Sequence, residues 1–456
     1  MHQATTHQDG LTGNRLYLGI IAISLATALG MLGSVTANVA LPTITKALHT
    51  SPSDSVWIVN AYQLSVLMAL LPLSSLGDRV GYARIYTWGL AIFTCSSLMC
   101  AMSRSLDEII VARVFQGFGA AGITSVNTAL IKTIYPSRLL GQGVGISASI
   151  VSISTAAGPT IAAAILSVAP WPWLFAINVP LGIIAFLVSL MALPRLPISK
   201  APYDYGSALL NAATFGLLVL GVDRLGHSNG ISASAVLQLV ASAFCAWLLV
   251  RRERGRSHPL LPVDLLLKPA FLLAVLTSIC SFSAQMLAFV SLPFMLQDAL
   301  GRSAMATGAL MTPWPLAIVI VAPLAGTLSN RYEAGLLGGV GLAILALGLA
   351  LLALMPAHPT SFDIGWRMAV CGVGFGLFQT PNNRAILAAA PTGRTGNASG
   401  MIGTSRTLGQ TLGALLTALI LMVAPDHAGP VALTTGAIFA GAAAALSLTR
   451  MCRRGA

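Results

Sequence analysis

Three arginines, Arg113, Arg384 and Arg406, lie inside long apolar stretches of this 456-residue sequence. None of the 13 acidic residues and none of the 7 histidines does so, because each falls in a polar connection or at the end of an apolar stretch. An arginine inside a membrane span costs about 2.5 to 3.5 kcal/mol, so it is expected to face protein or water. The pattern predicts an interior whose fixed charge is positive, which favours neutral or anionic amphiphiles over permanent cations. It predicts no metal site, no cofactor and no enzymatic activity.

One apolar stretch carries a stripe of polar side chains. Arg113, Gln116, Thr124 and Asn127 lie at offsets 0, 3, 11 and 14, which is a narrow sector of a helix with 3.6 residues per turn. The stripe predicts a helix face that lines a cavity. The alternative interpretation is that Arg113 only bonds backbone carbonyls of a neighbouring helix.

The composition excludes a soluble domain, since 56% of the residues are hydrophobic, only 8% are charged and the mean hydropathy is +0.82. The formal net charge of +12 does not indicate a nucleic-acid partner, because the 25 basic residues are scattered over many connections. Five of the 6 cysteines fall in apolar runs, where small core residues are expected. The first fifteen residues lack the pattern of a removable signal peptide. The partner of the chain is therefore a lipid bilayer.

Fourteen apolar segments are each about the ~20 residues that a membrane-spanning helix requires. If all fourteen cross, the connections divide into one side with 17 basic residues and another side with 4, which predicts that both termini are cytoplasmic. The predicted segments are 16–38, 55–76, 85–103, 108–131, 143–167, 173–194, 206–222, 231–250, 270–296, 304–326, 334–354, 365–388, 398–423 and 429–449.

The sequence repeats itself across its two halves. The polar connection that contains Leu76, Asp78 and Arg79 has a looser copy 252 positions later, with Asn330 in place of Asp78 and Arg331 in place of Arg79. Repeated halves of this kind indicate a secondary transporter with its site between them.

The stretch from Ser74 to Arg84, SSLGDRVGYAR, resembles the signature between helices two and three of the major facilitator superfamily, roughly G-x-L-a-D-r-x-G-r-k. The layout of six helices, two inserted helices and six helices resembles the fourteen-helix drug:proton antiporter group of that superfamily. The resemblance implies an all-α polytopic membrane protein with a major facilitator fold. We expect a cytoplasmic tail at 1–15, a six-helix bundle at 16–200, two inserted helices at 201–250, a basic cytoplasmic loop at 251–268, a second six-helix bundle at 269–449 and a cytoplasmic tail at 450–456.

The same resemblance assigns roles to residues in the first half of the chain. The sequence around Ser154, Gly158 and Pro159 is similar to the antiporter motif, although small-residue packing alone is an alternative. Arg113 and Gln116 match a helix-four motif whose arginine is associated with proton transfer. The implied conformational latch comprises Asp78, Arg79, Gly81 and Arg331, and the implied coupling and cavity residues are Arg113, Gln116, Asn127, Arg406, Tyr62 and Asn38.

Several polar residues of the second half interrupt apolar segments, where they imply a surface lined by water or protein. We expect a substrate cavity formed by Gln285, Gln379, Asn382, Asn383 and Arg384. For Gln285, a hydrogen bond between helices is an equally good interpretation.

The resemblance implies a monomeric exporter in a bacterial inner membrane that moves drug-like small molecules against protons by alternating access. Because no carboxylate lies in mid-span, either a helix-end carboxylate carries the proton or the substrate itself is protonated. The candidate carriers are Asp54, Asp107, Glu108, Asp223 and Asp298. A proton-independent facilitator or an importer of the same fold is the alternative, and a membrane enzyme or sensor would need catalytic clusters or a signalling domain that the sequence lacks.

Overall fold

The protein is represented by a computed structural model that describes residues 10–136, 139–194, 203–227, 232–256, 259–356, 358–389 and 395–452. Within these ranges it is built of helices and contains no strand. The helices are α1 Gly13–Ala47, α2 Pro52–Ser55, α3 Trp57–Val80, α4 Tyr82–Met102, α5 Leu106–Ile134, α6 Leu140–Val168, α7 Trp173–Ala176, α8 Asn178–Ala192, α9 Tyr205–His227, α10 Ala233–Glu253, α11 Val263–Leu266, α12 Pro269–Phe294, α13 Ala304–Met311, α14 Pro313–Leu328, α15 Ala334–Ala353, α16 Ser361–Ala388, α17 Thr395–Val423 and α18 Ala428–Cys452. A π-helical turn, Met295–Ala299, extends α12, and a 3-10 turn, Pro425–His427, precedes α18.

In the described residues, 13 helical segments are long and apolar enough to cross a membrane. The remaining predicted segment is α16, which has 28 residues and is therefore long enough, but is less apolar. It packs between α14 and α15, where Gly372 and Gly374 allow close contact with the two neighbours. A Cβ at Gly372 would lie 2.1 Å from the Trp314 carbonyl oxygen. This burial explains how a segment with several polar residues is accommodated among spans.

The helices form two packed groups. The first half, α1 to α8, is held by contacts of α5 with α3 and α4 and of α1 with α6 and α8. The second half, α12 to α18, is held by contacts of α15 with α16 and α18 and of α12 with α17 and α18. Of the inserted pair, α9 packs on α3 and also contacts α17, while α10 packs on α9. The predicted domain boundaries stay a prediction, and residues 1–9 and 453–456 of the predicted tails lie outside the described residues.

The helix bundle has two ends, the Lys46 face and the Asp78 face. The Lys46 face is the end at which α1 finishes and α3 begins, and the Asp78 face is the end at which α3 finishes and α4 begins. At the Asp78 face, the connection is shorter than the sequence predicts, because α3 continues to Val80 and α4 starts at Tyr82. Gly81 alone joins them, with φ 102°, a conformation that glycine adopts far more readily than other residues.

The inserted pair is attached to α3 through a backbone carbonyl. Pro72 lies inside α3 and has no N–H, so the carbonyl of Met68 loses its helical donor. The Asn211 amide of α9 donates to that carbonyl at 2.9 Å. At the Asp78 face the Tyr203 hydroxyl donates to the Pro72 carbonyl at 3.3 Å. The Asn211 side chain therefore replaces the backbone donor that Pro72 removes from α3, and this hydrogen bond attaches α9 to α3.

A further contact fixes the inserted pair to α3 at the Lys46 face. The Trp57 indole N–H donates to Asp223 Oδ1 at 2.9 Å. At the Asp78 face, the two inserted helices are joined to each other, because Asp204 caps α9 and also pairs with Arg252 at 2.9 Å. The hydrogen bond from Arg252 is the main reason that the pKa of Asp204 lies well below its usual range.

Candidate functional site

A cavity lies between the two halves and encloses about 840 Å³ of empty space, part of which is open to the outside. Each half supplies about half of its walls. The lining residues of the first half are Gly30, Met31, Ser34, Val35, Tyr62, Gln63, Val66, Ala120, Thr124, Val151 and Thr155. Those of the second half are Phe282, Gln285, Pro315, Ile318, Phe375, Gln379, Arg406, Thr407 and Gln410.

The lining explains what the cavity can bind. Arg406 is the one residue with a formal charge among the described residues that line it, and no carboxylate lines it. Arg406 stands 11 residues after the start of α17, or ~16 Å at 1.5 Å per residue, so it lies deep in the bundle. Of the predicted site residues, the structure brings Tyr62, Gln285, Gln379 and Arg406 together around this space.

Arg113 lies outside the cavity lining and is fully buried in the first half. Its Nε donates to the Ile58 carbonyl at 2.8 Å, and its Nη1 donates to the Gly33 carbonyl at 3.0 Å and to Gln116 Oε1 at 2.6 Å. Its guanidinium also stacks on the Tyr62 ring at 4.2 Å. The contacts match the alternative interpretation, in which this arginine bonds backbone carbonyls of neighbouring helices. Its association with proton transfer stays a prediction.

The other predicted residues of the first half are dispersed. Gln116 extends the Arg113 network, since its amide donates to Ser97 Oγ at 2.8 Å. Asn127 donates to Ser147 Oγ at 3.4 Å, between α5 and α6. Asn38 is buried, and its Oδ1 accepts no hydrogen bond from the described residues.

Three predicted cavity residues of α16 lie elsewhere. Asn382 is buried against α12, where its amide donates to Ser278 Oγ at 2.8 Å. Arg384 is exposed and donates to Asn330 Oδ1 at 2.7 Å, and Asn383 does not line the cavity. The cause is helix geometry, because these residues follow Gln379 by three to five positions and therefore lie further toward the Asp78 face.

The predicted latch residues surround the Asp78 face without pairing with one another. Asp78 accepts a hydrogen bond from the Tyr82 hydroxyl across the Gly81 junction. Arg79 stacks on the Tyr203 ring at 5.1 Å, and its Nε and Nη1 have no hydrogen-bond partner among the described residues. Arg331 is exposed. The latch role stays a prediction.

Several contacts close the Lys46 face between the halves. Lys46 pairs with Asp298 at 2.7 Å, and the Gln297 amide donates to the Val39 carbonyl at 3.1 Å. The hydroxyls of Thr160 and Thr312 are 2.7 Å apart.

The predicted antiporter motif takes part in this closure. Ser154 is buried, and a Cβ at Gly158 would lie 2.7 Å from a side-chain carbon of Val35. A Cβ at Gly308 of the second half would lie only 2.4 Å from the Pro159 carbonyl oxygen. Small residues therefore set the distance between α6 and α13.

The family profile of the Major Facilitator Superfamily matches residues 23–414, which is most of the chain. The chain therefore belongs to the Major Facilitator Superfamily. The uncharacterized transporter YebQ of Escherichia coli K12 is 52% identical over 445 residues, which is 97% of each chain. The riboflavin transporter RibZ of Clostridioides difficile is 30% identical over 87% of this chain and 86% of its own. The multidrug resistance protein Stp of Mycobacterium tuberculosis is 29% identical over 87% of this chain and 74% of its own.

Solved structures show the same fold in other major facilitator proteins. A bacterial homolog of the human lysosomal transporter Spinster, inward-facing and unoccupied, matches with a TM-score of 0.69 at 15% identity, covering 96% of this chain and 98% of that one. An autoinhibited peptide transporter of the POT family matches with a TM-score of 0.72 at 17% identity, covering 97% of each. The molecule is thus a multi-pass membrane transporter of the major facilitator kind, which acts on a small-molecule substrate.

In this major facilitator transporter, the five candidate proton carriers are all at the Lys46 face, outside the cavity. Asp298 and Asp223 are bonded to Lys46 and Trp57, and Glu108 accepts from the Arg104 amide at 2.7 Å. Glu253 is buried at the opposite end, where it accepts from Ser207.

Two amides that line the cavity, Gln63 and Gln410, were not among the predicted site residues. Each is an amide inside an apolar segment, which is the same signal that identified Gln285.

Proposed function

We propose that the chain is a proton-coupled exporter of drug-like amphiphiles, neutral or anionic, of the fourteen-helix drug:proton antiporter group. The single observation that carries the proposal is the cavity between the halves, whose charged lining residue is Arg406, with no carboxylate among the described lining residues. A permanent cation that entered it would meet a like charge in a medium of low dielectric constant, whereas an anion would be attracted. The name of one relative, the multidrug resistance protein Stp, favours drug-like substrates, and the name of the riboflavin transporter RibZ favours a planar polar one.

The proposal includes an orientation in the bacterial inner membrane. The Asp78 face carries most of the basic connections and is therefore assigned to the cytoplasm, together with both termini. The Lys46 face is then external, and its contacts between halves seal the cavity from outside. In the exporting cycle, those contacts break while contacts at the Asp78 face form, and the protein acts as a monomer.

The proton step is assigned to the Lys46 face. Among the five candidate carriers, Asp298 joins the two halves, because it pairs with Lys46 at 2.7 Å. In an antiport cycle the proton enters from outside while the external side is open, and it leaves at the Asp78 face after the change of access, in exchange for the exported substrate.

The test is export from inverted vesicles that contain the full chain, with cationic, neutral and anionic fluorescent compounds and with or without an imposed pH gradient. The proposal expects gradient-driven movement of neutral and anionic compounds and little movement of quaternary ammonium dyes. Robust movement of ethidium, or movement indifferent to the gradient, would contradict it.

A facilitator or importer of the same fold is the second candidate, and the absence of a carboxylate from the described cavity lining favours it. Uptake by intact cells that continues in the presence of an uncoupler would support this candidate.

A further inference from the structure

The two halves contribute unequally to hydrogen bonding inside the cavity. In the first half, the polar groups of the lining already bond to their own half. The Tyr62 hydroxyl donates to a backbone carbonyl of α1 at 3.1 Å, the Gln63 amide donates to Ser34 at 3.2 Å, and the Thr155 hydroxyl donates to a carbonyl of its own helix at 2.7 Å. These groups have their main donors occupied before any ligand enters.

The second half presents the opposite situation. Gln285 of α12, Gln379 of α16, and Arg406 and Gln410 of α17 all line the cavity. None of the four side chains makes a hydrogen bond or ion pair with any residue in the part of the chain that the structure describes. Each amide offers two N–H donors and an acceptor, and the guanidinium offers five donors. The unused hydrogen-bonding capacity of the cavity is therefore concentrated on three helices of one half.

An apolar wall stands beside these groups. The rings of Phe282 and Phe375 pack edge to face with their centroids 5.2 Å apart, and both line the same cavity. A planar ring can pack against such a wall while its polar edge bonds to amides nearby.

We propose that the second half alone recognises the polar part of the substrate, and that the substrate class is planar aromatic acids with ring carbonyl or amide groups. Arg406 binds the acid group with two parallel hydrogen bonds, and Gln285, Gln379 and Gln410 bond the ring substituents. The first half forms the rest of the cavity wall, and its movement opens and closes the path to the cavity. This inference rests on the proposed function in one respect, which is that this cavity is the substrate site.

Equilibrium binding to the purified full chain tests the inference without any gradient. The probes are fluorescein, rhodamine B and rhodamine 6G, which share one three-ring framework and are an anion, a zwitterion and a cation. Fluorescence anisotropy is expected to show the tightest binding for fluorescein. Arg406→Gln is expected to weaken fluorescein about tenfold or more, as loss of a charge-assisted hydrogen bond does, without weakening rhodamine 6G. Arg406→Lys keeps the charge and retains part of the preference for the anion.

A pair of matched variants compares the two halves. Gln379→Leu removes an unbonded amide of the second half and is expected to weaken fluorescein by roughly threefold to tenfold. Thr155→Val removes a hydroxyl that faces the same cavity but is bonded to its own helix, so a change below about twofold is expected. Size-exclusion profiles and thermal unfolding verify that each variant is folded, and Gln379→Leu keeps the test available if Arg406→Gln does not fold.

Three results would overturn the inference: tighter binding of rhodamine 6G than of fluorescein, no binding of any of the dyes, or equal losses for Thr155→Val and Gln379→Leu. A failure of proton-driven export in vesicles would leave these binding results intact. The two proposals therefore fail in different experiments.

Discussion

The bond between Asn211 and the Met68 carbonyl gives a sharp prediction about how the inserted pair is held. Pro72 removes the N–H that would otherwise bond this carbonyl inside α3, and the Asn211 amide replaces it at 2.9 Å. Asn211→Ala therefore removes a contact between helices and also leaves the Met68 carbonyl without a hydrogen-bond donor. Leaving a buried acceptor unpaired costs about 1 to 3 kcal/mol, while hydrogen bonds between membrane helices average about 0.6 and reach about 1.7 kcal/mol.

A double-mutant cycle isolates this effect. Asn211→Ala is expected to lower the free energy of unfolding by about 1 kcal/mol in the wild-type background. In the Pro72→Ala background, the restored N–H at position 72 bonds the Met68 carbonyl, so the same substitution should cost much less. The coupling between the two sites is expected to be on the order of 1 kcal/mol. Unfolding by SDS titration in mixed micelles measures all four free energies.

Ser242→Ala provides the matched control for this cycle. The Ser242 hydroxyl donates across the inserted pair to the Thr214 carbonyl at 2.7 Å, and that carbonyl lies within α9 and keeps its helical donor. Loss of this hydrogen bond should lower the free energy of unfolding by less than Asn211→Ala does. The effect should also be the same with proline or alanine at position 72. If Asn211→Ala lowers the free energy of unfolding equally in the wild-type and Pro72→Ala backgrounds, the reasoning is refuted. The effect of Asn211 would then not depend on its hydrogen bond to the Met68 carbonyl.

The remaining predictions concern the two ends of the bundle. Arg252 holds the pKa of Asp204 below its usual range. The ionised carboxylate therefore stabilises the folded protein at a pH above its unfolded-state pKa of about 4. This stabilisation is lost as the pH falls through the lower pKa of the folded state. Asp204→Asn is therefore expected to lower the thermal stability at pH 7, with a difference from wild type that narrows below about pH 4; a constant difference would contradict this. At the Lys46 face, Gly308→Ala places a methyl group against the Pro159 carbonyl. We therefore expect slower transport and greater thiol accessibility of cysteines introduced at this face. The control is Gly441→Ala, whose methyl group meets nothing within 4 Å and should change neither transport nor accessibility.

The number and type of the helices could be predicted from the sequence, because apolar runs of bilayer length have few alternatives to helix in a membrane. The ends were harder to place. Asp78 and Arg79 were expected in a connection because they are charged, yet both are in the last turn of α3. Polarity identifies where a chain leaves the apolar layer, whereas the helix itself ends at Gly81, the residue with a positive φ.

The candidate site was predictable in part, for a related reason. A lone amide or arginine in an apolar segment must face protein or water, and in the structure Gln285, Gln379 and Arg406 line the cavity. The rule does not tell a cavity from a contact between helices. Asn382 satisfies it by bonding α12, and Arg384 satisfies it by reaching the exposed end of its helix.

The two deep arginines illustrate what three-dimensional structure adds to residue type. Arg113 and Arg406 give the same signal in sequence, but Arg113 is bonded to carbonyls of α1 and α3, whereas Arg406 has no bonded partner among the described residues. The hydrogen bonds of Arg113 Nε and Nη1 join helices and fix their spacing, although its Nη2 has no hydrogen-bond partner among the described residues. Arg406 presents its donors at the wall of a cavity that is partly open to the outside, so they are available to an acceptor that enters. The difference between the two environments, and not the charge itself, is why the first half is expected to transmit movement and the second half to recognise the substrate.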